Sequence, residues 1–176
     1  MNKFARGMDK KEFLEKILPL KDKLFRFATR LLKNHEDAED AVQEVFLKLW
    51  QKRDTLESKY NLDAFAMTVT RNLCIDKMRE SKVTTVQLNE NITESSRNNP
   101  VKMADMKDID RKIRKIIDEL PEKQKQVIHL RDIEQYSYDD IAEITGYNKN
   151  IIKVNLSRAR RNVRDKLKEL YNYEYN

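Results

Sequence analysis

Two glycines and three prolines in 176 residues leave little material for the tight turns that join strands. Lys, Leu, Glu and Arg are common instead, and charged residues make up 38% of the chain, so the composition predicts an all-α fold of small modules with thin cores. The apolar positions agree. Between Glu12 and Lys33, the residues Phe13, Ile17, Leu20, Leu24, Phe27, Ala28 and Leu31 recur at helical spacing, with a break expected at Pro19. Asn34-His35 reads as a turn. Ala38, Ala41, Val42, Val45, Phe46, Leu49 and Trp50 then form one apolar face, and residues 52–60 read as a loop. Asn61 is placed to cap a helix running to about Glu80, with Leu62, Phe65, Ala66, Val69 and Leu73 inward. A helix resumes at Asp110 with Ile113, Ile116, Ile117 and Leu120 inward.

Residues 81–108 differ in character. Ser, Thr, Asn and Glu dominate their first part and no helical stripe is present, which predicts a flexible linker between a module at 1–80 and another at 109–176. As a random coil such a linker spans about 30 Å on average. Fully extended it reaches about 100 Å. The net charge of +6 lies at the two ends, with +3 in residues 1–80, −1 in 81–110 and +4 in 111–176. Two basic modules with a neutral middle suit one polyanion gripped at two places.

The second module carries a specific pattern. Leu120-Pro121-Glu122 opens a short helix with Val127, Ile128 and Leu130 on its apolar side. Ser137 is placed to cap a second helix through Ile141 and Ile144, Gly146 breaks it, and a third starts near Asn148–Asn150. Along that third helix Ile152, Leu156, Ala159, Val163 and Leu167 make one stripe, while Lys149, Lys153, Arg158, Arg161 and Arg164 take the other side. From Lys149 to Lys168 there are eight Lys or Arg and one Asp. A short helix, a turn with glycine and a long helix with a basic outer face predict a helix-turn-helix whose last helix enters a major groove. A plain helical hairpin with a solvated basic face is the simpler alternative.

The first module has an opposite peculiarity. Glu36, Asp37, Glu39, Asp40 and Glu44 crowd three turns before the first basic residue, Lys48. The helix dipole accounts for acids in the first turn. Asp40, Gln43 and Glu44 lie deeper and on one side, so this edge faces something other than phosphate, and a basic protein partner is the simplest choice. Cys74 is the sole cysteine and reads as a packed small hydrophobe, and His35 and His129 read as a surface and a partly buried, hydrogen-bonded residue. The first eleven residues lack the apolar core of a signal peptide, and no apolar run approaches the ~20 residues of a membrane span, so a cytoplasmic protein without membrane insertion is expected.

These residues together resemble the extracytoplasmic-function (ECF) sigma factors of bacterial RNA polymerase. The resemblance rests on Asp37-Ala-Glu-Asp-Ala-Val-Gln-Glu-Val-Phe at 37–46, Thr70-Arg71-Asn72-Leu73-Cys74-Ile75-Asp76 with Arg79, Leu120-Pro121-Glu122-Lys123-Gln124, Ser137-Tyr138-Asp139-Asp140-Ile141-Ala142-Glu143, and Lys153 with Leu156 to Arg160. It implies a sigma-2-like domain at 1–80 and a sigma-4-like domain at 109–176, with core RNA polymerase, promoter DNA and an anti-sigma factor as partners. Asp40, Gln43 and Glu44 would dock on the clamp helices of the largest catalytic polymerase subunit. Lys59, Tyr60 and Asn61 would capture a flipped base of the −10 element, and Arg71 and Asn72 would lie along the −10 DNA. Lys149, Asn150, Ile151, Lys153, Val154, Asn155, Arg158 and Arg161 would face the −35 major groove. Sites two DNA turns apart are about 70 Å apart, so the linker would have to be held extended, through polymerase channels. The chain departs from the family pattern at Phe65, where Trp is usual, at Ile151-Ile152-Lys153, where Thr-Val-Lys is usual, and at Asn155, where Arg is common.

A helix-turn-helix regulator that binds duplex DNA without polymerase is the runner-up. An enzyme with a metal on the acidic helix lacks a partnering His, a Gly-rich loop or a nucleophile, so no catalytic, metal or cofactor residue is assigned.

Overall fold

The computed structural model describes residues 7–54, 56, 61–87 and 106–174. Every regular element among them is helical. The first module contains α1 (Lys10–Lys16), a 3₁₀ turn (Leu18–Leu20), α2 (Lys21–Leu32), α3 (His35–Gln51) and α4 (Leu62–Gln87). The second contains α5 (Met106–Asp118), α6 (Glu122–Ile128), a π-turn (His129–Ile133), α7 (Tyr138–Thr145) and α8 (Lys149–Glu174). Helix thus takes in both ends of the span expected to be linker, and residues 88–105 lie outside the described part.

Local chemistry sets most of these boundaries. Asp9 and Glu12 form a reciprocal capping box at the start of α1, and Pro19 sits in the 3₁₀ turn that separates α1 from α2, as expected. Lys33 adopts the left-handed conformation that ends α2 (φ 57°), and Asn34 Oδ1 then accepts from the N–H groups of Glu36 and Asp37 to start α3. Ser137 and Asp140 form a second capping box on α7, and Gly146 closes that helix at φ 71°, where any side chain would be strained. The other glycine works by proximity. A Cβ on Gly7 would lie 2.4 Å from the Asp54 backbone, and the Met8 N–H donates to Arg53 O at 3.0 Å. Gly7 and Met8 are therefore packed against the chain just after α3.

Helices α2, α3 and α4 pack on one another around Leu24, Phe27, Leu31, Ala41, Val45, Leu49, Ala66 and Met67, all buried. Helix α1 joins through Phe13, edge-on to the Trp50 ring at 5.1 Å and the Phe46 ring at 6.5 Å. In the second module α5, α6 and α7 all lie on α8, whose Ile152, Leu156 and Ala159 are buried with Val127, Leu130, Ile141 and Ile144. The two modules also touch. α4 packs on α7, and one apolar cluster continues from Leu24 and Phe27 through Leu130 to Ile152. Each large apolar side chain in this cluster contributes about 1.5–3 kcal/mol by leaving water.

Candidate nucleic-acid and docking surfaces

The acidic edge of the first module is where the sequence put it. Asp40 and Gln43 are exposed on α3, and Glu44 is half-exposed with its carboxylate 2.8 Å from Lys48 Nζ. Beside them runs a cavity of about 860 Å³ between α3 and the stretch from α1 through the 3₁₀ turn to α2, lined by Leu18, Gln43, Phe46, Leu47 and Trp50 among others. Leu47 is 60% exposed and Leu18 49%. The sequence reasoning missed this groove, although Leu47 is the apolar residue of α3 that stands outside its buried face. An acidic rim around an exposed apolar groove fits a partner surface that is both basic and apolar.

On α8 the expected groove-facing residues share the outer side of the helix. Lys149, Asn150, Ile151, Lys153, Val154, Arg158 and Arg161 are exposed, and Asn155 is half-buried with its amide donating to Ile151 O at 2.9 Å. Lys149 Nζ lies 2.6 Å from Asp139, and Lys153 lies over the Tyr138 ring. Arg158 and Arg161 make no ion pair among the described residues. Arg160, by contrast, grips Asp132 with two hydrogen bonds of 2.9 and 2.6 Å and staples α8 to the π-turn. One arginine of the basic run is therefore structural, and Arg158 and Arg161 on either side of it are exposed.

The expected −10 residues are placed differently. Lys59 and Tyr60 lie outside the described residues. Asn61 caps α4 by accepting from the Ala64 N–H at 3.2 Å, as expected, but its Nδ2 donates to Asp140 of the second module at 3.0 Å. Arg71 Nε donates to Gln126 Oε1 at 2.9 Å, and the Arg71 guanidinium lies 5.6 Å from the Tyr147 ring centroid. Asn72 is exposed beside it. The helix-turn-helix module thus sits on the first module's candidate DNA side.

Further polar contacts cross the same boundary. The Arg26 guanidinium donates twice to Glu134, at 2.9 and 2.8 Å, Arg30 Nη1 donates to Asp118 at 2.6 Å, and the Tyr136 hydroxyl donates to Asp63, which also accepts from Lys23 at 2.6 Å. Glu134 and Tyr136 flank Gln135, which takes a left-handed conformation just past the π-turn. Burial alone would raise the Glu134 carboxyl; His129 Nε2 at 3.3 Å and the Arg26 fork outweigh it and hold the value at about 2. Burial raises the Tyr136 hydroxyl, and the Asp63 carboxylate raises it further.

His129 is fully buried against Phe27, and neither ring nitrogen makes a well-aligned hydrogen bond. The sequence reading had it partly buried and hydrogen-bonded; the close but skewed Glu134 contact is what stands instead. Burial lowers its pKa from the ordinary 6.5, against the pull of Glu134. The unfolded chain therefore binds the proton more readily, and stability falls as pH drops below 6.5, by at most about 1.4 kcal/mol per pH unit from this group. Glu134 is ionised in both states down to about pH 5 and adds nothing to that slope. Urea unfolding at pH 7.5 and 5.5 should show the loss, and His129→Leu should remove most of it. An equal loss in that variant would place the effect elsewhere.

Comparison with known proteins agrees with this architecture. Residues 17–83 match Sigma-70 region 2, and residues 110–163 match Sigma-70, region 4. The chain is 33% identical over 139 residues to RNA polymerase sigma factor SigV of Bacillus subtilis (strain 168), covering 79% of this chain and 81% of that one. The chain belongs to the ECF sigma factors. It is also 30% identical over 157 residues to the RNA polymerase sigma-E factor of Streptomyces coelicolor, covering 89% of this chain and 86% of that one. Among solved structures it resembles the sigma factor RpoE of Bartonella quintana, crystallised with the anti-sigma factor NepR, with a TM-score of 0.79, 31% identity and coverage of 90% and 98% of the two chains. As an ECF sigma factor, the chain carries the two regions in that order along its sequence. Its region 2 match takes in the acidic edge and the −10 candidates, and its region 4 match takes in the helix-turn-helix. None of its described helices is long and apolar enough to cross a membrane.

Proposed function

We propose that this sigma factor binds core RNA polymerase through the Asp40, Gln43 and Glu44 edge and the adjoining groove, and places its two modules on the −10 and −35 elements of a promoter. The carrying observation is one chain that combines an exposed basic outer face on α8 with an exposed acidic rim on α3. The first repels the protein surface the second attracts, so they serve two different partners. A helix-turn-helix regulator acting alone has no use for the acidic rim. The work is binding, not bond-making. Trapping unstacked bases costs a few kcal/mol per base, which aromatic stacking and basic side chains of the first module offset. Phosphate contacts fix the register and make affinity fall with salt. The RpoE complex supports an anti-sigma factor as an inhibitory partner here too.

Arg158 tests the −35 assignment. Arg158→Ala should weaken binding to the cognate −35 duplex by ~1–3 kcal/mol while changing affinity for unrelated duplexes much less, if it reads a base. Fluorescence anisotropy on both duplexes checks it. Equal loss on every sequence would make Arg158 a phosphate contact.

A further inference from the structure

We propose that the cavity between α2 and α5 is a binding site for a small phosphate monoester with a flat apolar body, its phosphoryl group held by Thr29, Arg30 and His129. The cavity measures about 530 Å³, with α2 on one side and α5 with the π-turn on the other. That volume lies within the range of small-molecule pockets. Among the described residues, four buried side-chain atoms have no hydrogen-bond partner in the protein: Thr29 Oγ1, Arg30 Nε, and Nδ1 and Nε2 of His129. All three residues that carry them line this one cavity. Buried polar groups are normally partnered, and leaving one without a partner costs stability. Isolated packing faults would be scattered through the core. Orphans gathered around one cavity mark a place that receives a polar guest.

The lining decides the class of guest. The Thr29 hydroxyl, the Arg30 Nε–H and a His129 N–H supply three donors, which match the three terminal oxygens of a phosphate monoester; a carboxylate has only two. Arg30 is already oriented, because its Nη1 donates to Asp118 at 2.6 Å while its Nε has no partner. His129 Nε2 lies 3.3 Å from Glu134, so a phosphate at Nδ1 favours the imidazolium, which donates on both sides. Arg26 is matched by Glu134. Lys33 and Arg114, both exposed, add positive charge to the lining against the single carboxylate of Asp110. Phe25, Ile113, Ile117 and Ile133 make the rest of the lining apolar, which suits a ring joined to the phosphate and is wasted on a bare ion. None of the residues assigned to the −10 element, the −35 element or polymerase docking lines this cavity, so the site is separate from all three surfaces.

The test reads His129 directly in the full chain. The sequence holds two histidines, and His35 is exposed at the start of α3. The imidazole region of a proton NMR spectrum therefore carries the signals of two residues, assigned with His129→Leu. Phenyl phosphate should move the His129 signals saturably, with a Kd below about 1 mM, and leave those of His35 in place. It should also raise the pH at which His129 titrates, against the lowering that burial imposes on the free chain. Glycerol phosphate, which brings no ring to the apolar lining, and benzoate, which lacks the third oxygen, should each bind about tenfold more weakly. Thr29→Val keeps the side-chain shape and removes the hydroxyl, and should cut phenyl phosphate affinity about tenfold. If that variant loses helical content by circular dichroism, Arg30→Lys replaces it and should show a similar loss. Arg158→Ala with Arg161→Ala, on the far basic face of α8, should leave the affinity unchanged. No saturable His129 shift up to about 10 mM phenyl phosphate would overturn the site. So would equal affinity for glycerol phosphate or benzoate, or a loss in the α8 variant in place of Thr29→Val.

Discussion

Exchanging Asp40 and Glu44 together for lysine is expected to abolish capture of this sigma factor by core RNA polymerase. Both residues stand on the outer side of α3, away from the buried stripe of Ala38, Ala41, Val45 and Leu49, so the helix should keep its fold. The cost to the fold is the lost Glu44–Lys48 pair, an exposed contact worth under about 1 kcal/mol. The cost to docking is much larger, since two attractive charges become two repulsive ones against a basic surface, and like-charge juxtaposition across an interface costs several kcal/mol. A pull-down with immobilised core polymerase, beside circular dichroism of the variant, measures both. Undiminished capture would place the docking surface elsewhere, with the groove formed by Leu18, Leu47 and Trp50 as the next candidate.

The second large effect concerns stability. Phe27 has no exposed surface, lies in the core of the first module and places its ring 5.3 Å from the His129 ring of the second. Phe27→Ala should lower the free energy of unfolding by ~3–5 kcal/mol, because the lost transfer energy is joined by the cost of a cavity that α2, α3 and α4 cannot close. Since Phe27 serves both modules, urea transitions followed by Trp50 fluorescence and by total helicity should move down together. Loss of the Trp50 signal alone, with the second module unfolding as in the wild type, would show that the modules are energetically separate.

Most of the fold was legible because each signal was local. Pro19, Asn61, Ser137 and Gly146 act on backbone groups a few residues away, so their roles follow from the sequence alone, whereas Asn34, read as part of a turn, caps α3 and puts His35 in its first turn. The stripe Ile152, Leu156, Ala159 on α8 is likewise a matter of period. What escaped was long-range. Nothing near His129–Ile133 announces a π-turn, since no glycine or proline interrupts it, and Glu134 looks like one more surface acid until Arg26 arrives from 108 residues away. Gln126 and Lys125, both buried on α6, sit where pattern alone would put apolar residues. For the site, composition and spacing found the exposed acidic edge and the outer face of α8, because charge on a helix face is readable. They could not find that Asn61 and Arg71 face the other module, because that depends on how two modules meet across the span 88–105.

The central claim is that this chain confers promoter-specific initiation on core RNA polymerase. Run-off transcription with purified core polymerase on a library of promoter templates, with and without the purified chain, measures it directly. The account predicts discrete transcripts from a subset of templates that share two sequence elements about two helical turns apart, absent when core polymerase acts alone. Transcript patterns identical with and without the chain across the library would contradict it.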